Sequence, residues 1–143
     1  MLNFLDKLFD WSNLYSFEKA VLEAVLSHMD DETRLKLKRQ IEVVNNVQRL
    51  SDGKEVNLYR TRFGRVTFDD RLRIANAPPE LLLARVDLGL PNKKPKLTAK
   101  VWMAEGRLFS LEFNIAPSQF FAGNSLRDTR PEIVDVNIFH EHL

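Results

Sequence analysis

The sequence predicts an α+β fold: two to three N-terminal helices packed on a mostly antiparallel sheet of about five to six strands. Three observations predict it. Apolar residues recur with a period near 3.6 up to Asp52-Gly53 and with a period near 2 beyond it. β-Branched and aromatic residues concentrate after that point, as strands require. Helical patterns come first and strand patterns follow, without the alternation that builds a parallel sheet. A chain of 143 residues has the length of one domain, here with a helical part over 1–53 and a sheet part over 54–143.

Residues 1–11 read as an amphipathic helix. Leu2, Phe4, Leu5, Leu8, Phe9 and Trp11 share half of the helical wheel, while Asn3, Asp6, Lys7 and Asp10 fill the rest. Asp6 and Asp10 break the continuous apolar run of a signal peptide, and two acids against one base do not suit a membrane surface. The apolar stripe is expected to pack on the body of the domain or to mediate self-association. Ser16 is placed to cap a second helix from Phe17 to about Met29, whose broad apolar arc (Phe17, Ala20, Val21, Ala24, Val25) predicts burial. Asp30-Asp31 cap the next helix, with Leu37, Ile41, Val44, Val47 and Leu50 inward and Asp52-Gly53 as its stop.

Strands are expected near 55–63, 66–74, 82–89, 96–103, 107–114 and 132–140. Two registers compete at the turn after Met103. A two-residue turn at Glu105-Gly106 pairs Trp102 with Phe109 but Lys100 with Leu111, which mixes the faces. A three-residue turn over 104–106 pairs Val101 with Phe109, Ala99 with Leu111 and Leu97 with Phe113, and puts Gly106 at a left-handed position. The second register sorts apolar from polar and is the expected one. Residues 114–131 are long for a connection, and Phe120, Phe121 and Leu126 predict a short helical turn there, packed on the sheet.

Composition excludes several kinds of chemistry. Cysteine is absent, so the chain has no disulfide, thiolate nucleophile or thiolate metal site, and a reducing, cytoplasmic setting is expected. No run approaches the roughly 18 apolar residues of a membrane span. Glycine-rich dinucleotide loops, P-loops, nucleophile elbows and HExxH motifs are all missing, so no cofactor or metal is expected. His140 and His142 alternate onto one strand face, but two ligands are too few for a metal. Adjacent acids at 30–31 and 69–70 point apart and cannot share a proton as a catalytic pair does.

Charge is uneven. Net charge is +1, yet residues 51–100 carry eleven positive and six negative side chains. A protein built around nucleic acid is basic overall, so a local patch for another partner is the better reading. In Tyr59-Arg60-Thr61-Arg62-Phe63, alternation puts Arg60 and Arg62 opposite Tyr59 and Phe63. In Arg71-Leu72-Arg73-Ile74 it puts Arg71 and Arg73 opposite Leu72 and Ile74. If the two strands are neighbours, four guanidinium groups share one face suited to an acidic protein surface. Asn92-Lys93-Lys94-Pro95-Lys96 reads as a second basic segment, in a loop. Trp102, expected opposite Leu108 and away from the core, is a further candidate contact. The leading expectation is a non-catalytic partner-binding module. Its alternatives are an apolar-ligand pocket between helix and curved sheet, or an enzyme whose site follows no known motif.

Overall fold

The computed structural model describes residues 13–140 and 143. The expected helix over 1–11 and His142 lie outside the described residues. Two helices, α1 (Ser16–Ser27) and α2 (Asp31–Glu42), precede seven strands. These are β1 (Asn46–Leu50), β2 (Glu55–Arg62), β3 (Arg65–Thr67), β4 (Glu80–Leu90), β5 (Lys93–Ala104), β6 (Arg107–Phe113) and β7 (Glu132–Ile138), with a one-turn helix α3 (Pro117–Phe120) before the last. The sheet order is β1-β2-β6-β5-β4-β7, β3 pairing with β2 off this path, and its pairings are antiparallel. The α+β class stands, with one strand more than expected.

The extra strand corrects the reading of α2. Residues 46–50 were expected to continue that helix; instead they form β1, paired from Asn46↔Tyr59 to Leu50↔Glu55. Val44, Val47 and Leu50 imitate a helical stripe, but the Val43-Val44-Asn45-Asn46 run has poor helix formers throughout. Asn45 fixes the exit: its backbone N–H donates to Tyr59 O at 3.0 Å, its Nδ2 donates to Thr61 O at 2.9 Å, and its Oδ1 accepts from the Thr61 N–H at 2.6 Å.

Both helices lie on one face of the sheet. Strand residues alternate, and the positions turned toward the helices are closed from water, among them Val56, Val86, Leu97, Ala99, Val101 and Leu111. Phe17 of α1 fills the gap between layers, its ring 5.4 Å from Phe113 and 5.0 Å from Phe121. The predicted turn in the 114–131 segment is α3, and it delivers Phe120 and Phe121 to this core at 1% exposure each.

Several polar groups within this layer are matched to partners. Helix α1 starts at Ser16, one residue earlier than the sequence reading, and Glu18 Oε1 accepts from the Tyr15 N–H at 2.7 Å. The same fully buried carboxylate takes Arg49 from β1 at 2.5 Å, and the guanidinium stacks 3.7 Å from the Tyr15 ring centroid. Burial works against the Arg49 charge, but the hydrogen bond and charge of Glu18 outweigh it and hold the group more firmly protonated than usual. Arg34 closes the other end of α1, donating to Leu26 O and Met29 O at 2.9 and 2.7 Å. Gln40 of α2 reaches the β5–β6 turn, donating to Gly106 O at 3.0 Å and accepting from the Leu108 N–H at 2.7 Å.

That turn corrects the expected register. It is a two-residue turn, with Glu105 and Gly106 both at positive φ (52° and 76°) and Ala104↔Arg107 and Met103↔Leu108 closing it. A bulge then leaves Phe109 unpaired, so beyond it Trp102 faces Ser110, Val101 faces Leu111 and Ala99 faces Phe113. The bulge removes the mixing of faces that spoke against a two-residue turn. Gly106 has a second constraint: a Cβ there would meet Ile74 O at 2.3 Å. At the β4–β5 turn the expected basic loop is already strand, β5 beginning at Lys93. A register shift between Leu88 and Leu90 lies opposite Pro95, which has no N–H for the ladder.

Candidate functional site

β2 belongs to two structures. Its first half lies in the sheet between β1 and β6, Val56 pairing with Leu111. Its second half leaves the sheet and pairs with β3 as a ribbon: Arg60↔Thr67, Thr61↔Val66 and Arg62↔Arg65. Phe63 and Gly64 close the ribbon at φ 52° and 74°, the double left-handed conformation of a tight hairpin turn. Alternation continues from the buried Val56 and Leu58, so Arg60 and Arg62 point to the helix side and Tyr59 to the other.

The sequence reading of Arg60 and Arg62 as one face therefore agrees with the structure, but Arg71 and Arg73 do not join them on a strand. β3 ends at Thr67, and the strand expected over 66–74 gives way to a 3-10 turn, Asp70–Leu72. Asp69 is the cause, because its carboxylate satisfies the backbone of that turn. Oδ1 accepts from the Arg71 N–H at 3.0 Å and from Arg71 Nε at 3.1 Å, and Oδ2 accepts from Nη2 at 2.9 Å. These bonds hold the Asp69 carboxyl below the usual carboxylate range and the Arg71 guanidinium above its own. Arg73 is similarly engaged. It donates to Asp70 Oδ1 at 3.1 Å and to Glu105 O, and its guanidinium carbon lies 5.3 Å from the Phe68 ring centroid. The third arginine of the ribbon face is Arg65, directly across from Arg62.

A groove of about 360 Å³ runs along this face, walled by Arg60, Arg62, Thr67 and Asp69 and floored by Val43, Phe68 and Leu72. Arg60 donates to Val43 O at 3.3 Å, which anchors it at the inner end. Arg62 rests 5.5 Å from the Phe63 ring centroid, and neither Arg62 nor Arg65 forms an ion pair among the described residues. Phe63 itself is 92% exposed at the ribbon tip. The groove thus joins the Arg60 and Arg62 guanidinium groups to an apolar floor, which suits carboxylates flanked by apolar atoms. Sequence reasoning missed Arg65 and Phe63 because both depend on where the hairpin turns, and Phe63-Gly64 is an unusual pair for such a turn.

Trp102 sits elsewhere, on the helix-free face between Leu82 and Ser110. Its expected partner Leu108 instead faces Met103, on the core side of the bulge. His140 is exposed, and no group of three potential metal ligands occurs among the described residues. No described helix is long and apolar enough to cross a membrane. Compared with family models, with curated proteins and with solved structures, the chain matches none at a significant level.

Proposed function

We propose that the protein is a non-catalytic partner-binding module whose β2–β3 ribbon receives an acidic segment of another protein. The observation that carries this is the ribbon face itself. Arg60, Arg62 and Arg65 stand together on a hairpin that has left the sheet, beside an apolar groove. A ribbon adds little to the core, so the Arg62 and Arg65 charges held there without an ion pair serve contact better than stability. The layer between helices and sheet is filled by Phe17, Phe120 and Phe121, which weighs against the alternative of an apolar ligand pocket in that place. A chain without cysteine is at home in a reducing compartment, and we assign the module to the cytoplasm on that ground.

The test is fluorescence anisotropy with a labelled oligoglutamate peptide, against oligolysine and oligophosphate of equal length. Oligoglutamate should bind saturably, more weakly as salt shortens the screening length below about 10 Å. Arg60→Gln/Arg62→Gln should weaken it by about tenfold or more, and Arg65→Gln should weaken it further. Binding that ignores these substitutions, or none at all to folded protein, contradicts the proposal.

A further inference from the structure

The helix-free face holds a second cleft, of opposite polarity, on the side away from Arg60 and Arg62. Its volume is about 400 Å³, and β2, β4, β5 and β6 all contribute to it. Trp102 and Phe109 form its aromatic surface, and Glu55, Glu80 and Glu112 line it with them. The bulge that corrects the β5–β6 register makes the site, because it places Phe109 out of the ladder and sets Trp102 across from Ser110.

Two observations set these carboxylates apart from the paired charges under the helices. Glu55 lies directly opposite Glu112 in the β2–β6 pairing, where like charges repel. Lys100 faces Glu112 from the other side, yet no ion pair joins Glu55, Glu80 or Glu112 to any described residue. Polar side chains at the same place are also short of protein partners. Ser110 is nine-tenths buried and lines the cleft, and its hydroxyl makes no hydrogen bond among the described residues. Asn57, 6% exposed, donates only to Glu55 at 3.4 Å and leaves its carbonyl oxygen unused. Trp102 Nε1 is enclosed without an acceptor. The Ser110 hydroxyl and the Asn57 carbonyl are acceptors that a donor-only ligand can engage, whereas the Trp102 N–H is itself a donor and gains nothing from such a ligand but ring contact.

We propose that this cleft is a receptor for the guanidinium group of an arginine on a basic segment of a partner protein. A guanidinium carries five N–H donors and no acceptor, while the cleft offers three carboxylates, the Asn57 carbonyl and the Ser110 hydroxyl as acceptors. Its planar, weakly hydrated face stacks on indole and phenyl rings better than an ammonium does, which selects arginine over lysine. The proposal does not depend on the ribbon: the two surfaces use different residues on opposite faces and are tested by different variants.

Trp102 is its own reporter. The chain has two tryptophans, and Trp11→Phe leaves Trp102 as the only indole. Titration of that variant with capped Gly-Arg-Gly should give a saturable change in Trp102 emission. The matched lysine peptide should bind several-fold more weakly, and the neutral citrulline peptide should not bind. Glu55→Gln/Glu112→Gln should weaken the arginine peptide by about tenfold or more, and Arg60→Gln/Arg62→Gln should leave it unchanged. If Trp11→Phe fails to fold, the indole N–H resonance of Trp102 in the unaltered chain, assigned by its loss in Trp102→Phe, reads the same titration. Citrulline binding as tightly as arginine, magnesium or spermidine competing at equal affinity, or no saturable change in folded protein would each overturn the proposal. So would a dimer of this chain that Glu112→Gln dissociates, since a second copy would then fill the cleft.

Discussion

The helix-covered face of the sheet and the β2–β3 ribbon treat charge in opposite ways. Under the helices, Glu18 meets Arg49 at 2.5 Å and Glu23 meets Arg130 at 2.5 Å, tying the helical layer to β1 and to the segment before β7. Gln40 is bonded through both ends of its amide. On the ribbon, Arg62 and Arg65 face each other across a hairpin with no acid between them. Burying a charge without a partner costs several kcal/mol, so the enclosed layer has to pair its charges, whereas a solvated ribbon does not. The difference teaches where to look for function. Charges in the enclosed layer hold the fold, and charges the fold does not use are on the ribbon and on the helix-free face.

Substitutions can break or sharpen that contrast. The largest effect is expected for Phe17→Ala, which removes a ring at 1% exposure between the two layers and should cost about 3–5 kcal/mol in urea unfolding. Glu18→Gln should cost about 3 kcal/mol by leaving the Arg49 guanidinium half-paired in a part-buried site. Glu18→Gln/Arg49→Met should cost less than the two single changes added together, because the charge left without its partner is gone. Gln40→Ala should cost about 2 kcal/mol and raise amide exchange at Leu108, whose N–H loses its acceptor.

The smallest effect belongs to the Asp69–Arg71 pair. The carboxyl is held low by hydrogen bonds from the Arg71 side chain and backbone. A depressed carboxyl favours folding above the pKa it has in the unfolded chain, and this contribution is lost as pH falls through the folded value. The pair is solvated, so pH should barely move overall stability through it. Arg71→Gln should instead raise the Asp69 titration midpoint toward the usual range in carboxyl-carbon NMR. A midpoint that does not move would show that the turn backbone alone, and not the guanidinium, holds the proton off.

Much of the fold was legible in the residues because periodicity reports which face is buried. The α1 arc and the inward face of β5 at Leu97, Ala99 and Val101 follow from it, and the aromatic pair Phe120-Phe121 marked the buried turn. Residues 46–50 were misread because Val44, Val47 and Leu50 satisfy a helical spacing, and the contacts that decide for a strand lie on β2, across the turn at 51–54. The β5–β6 register failed for a related reason. Alternation cannot reveal a bulge, which inserts one residue and restores the pattern beyond it. At the candidate site, Arg60 and Arg62 were readable from alternation within one strand. Arg71 and Arg73 were not, because Asp69 captures the backbone and ends the strand before them. The Trp102 cleft was legible only as a single aromatic, since its carboxylates come from three strands that only the sheet order brings together.

The contrast between the two regions is tested most directly by urea unfolding of Arg60→Gln/Arg62→Gln beside Glu18→Gln. Charges on a solvated ribbon are worth at most about 1 kcal/mol, while removing one partner of the enclosed pair costs about 3 because it strands the other charge. The ribbon variant should therefore unfold within about 1 kcal/mol of the unaltered protein, with Glu18→Gln clearly below both. Equal losses in the two variants would mean that the ribbon arginines are part of what holds the fold together, and the division between a stabilising layer and a recognition ribbon would be wrong.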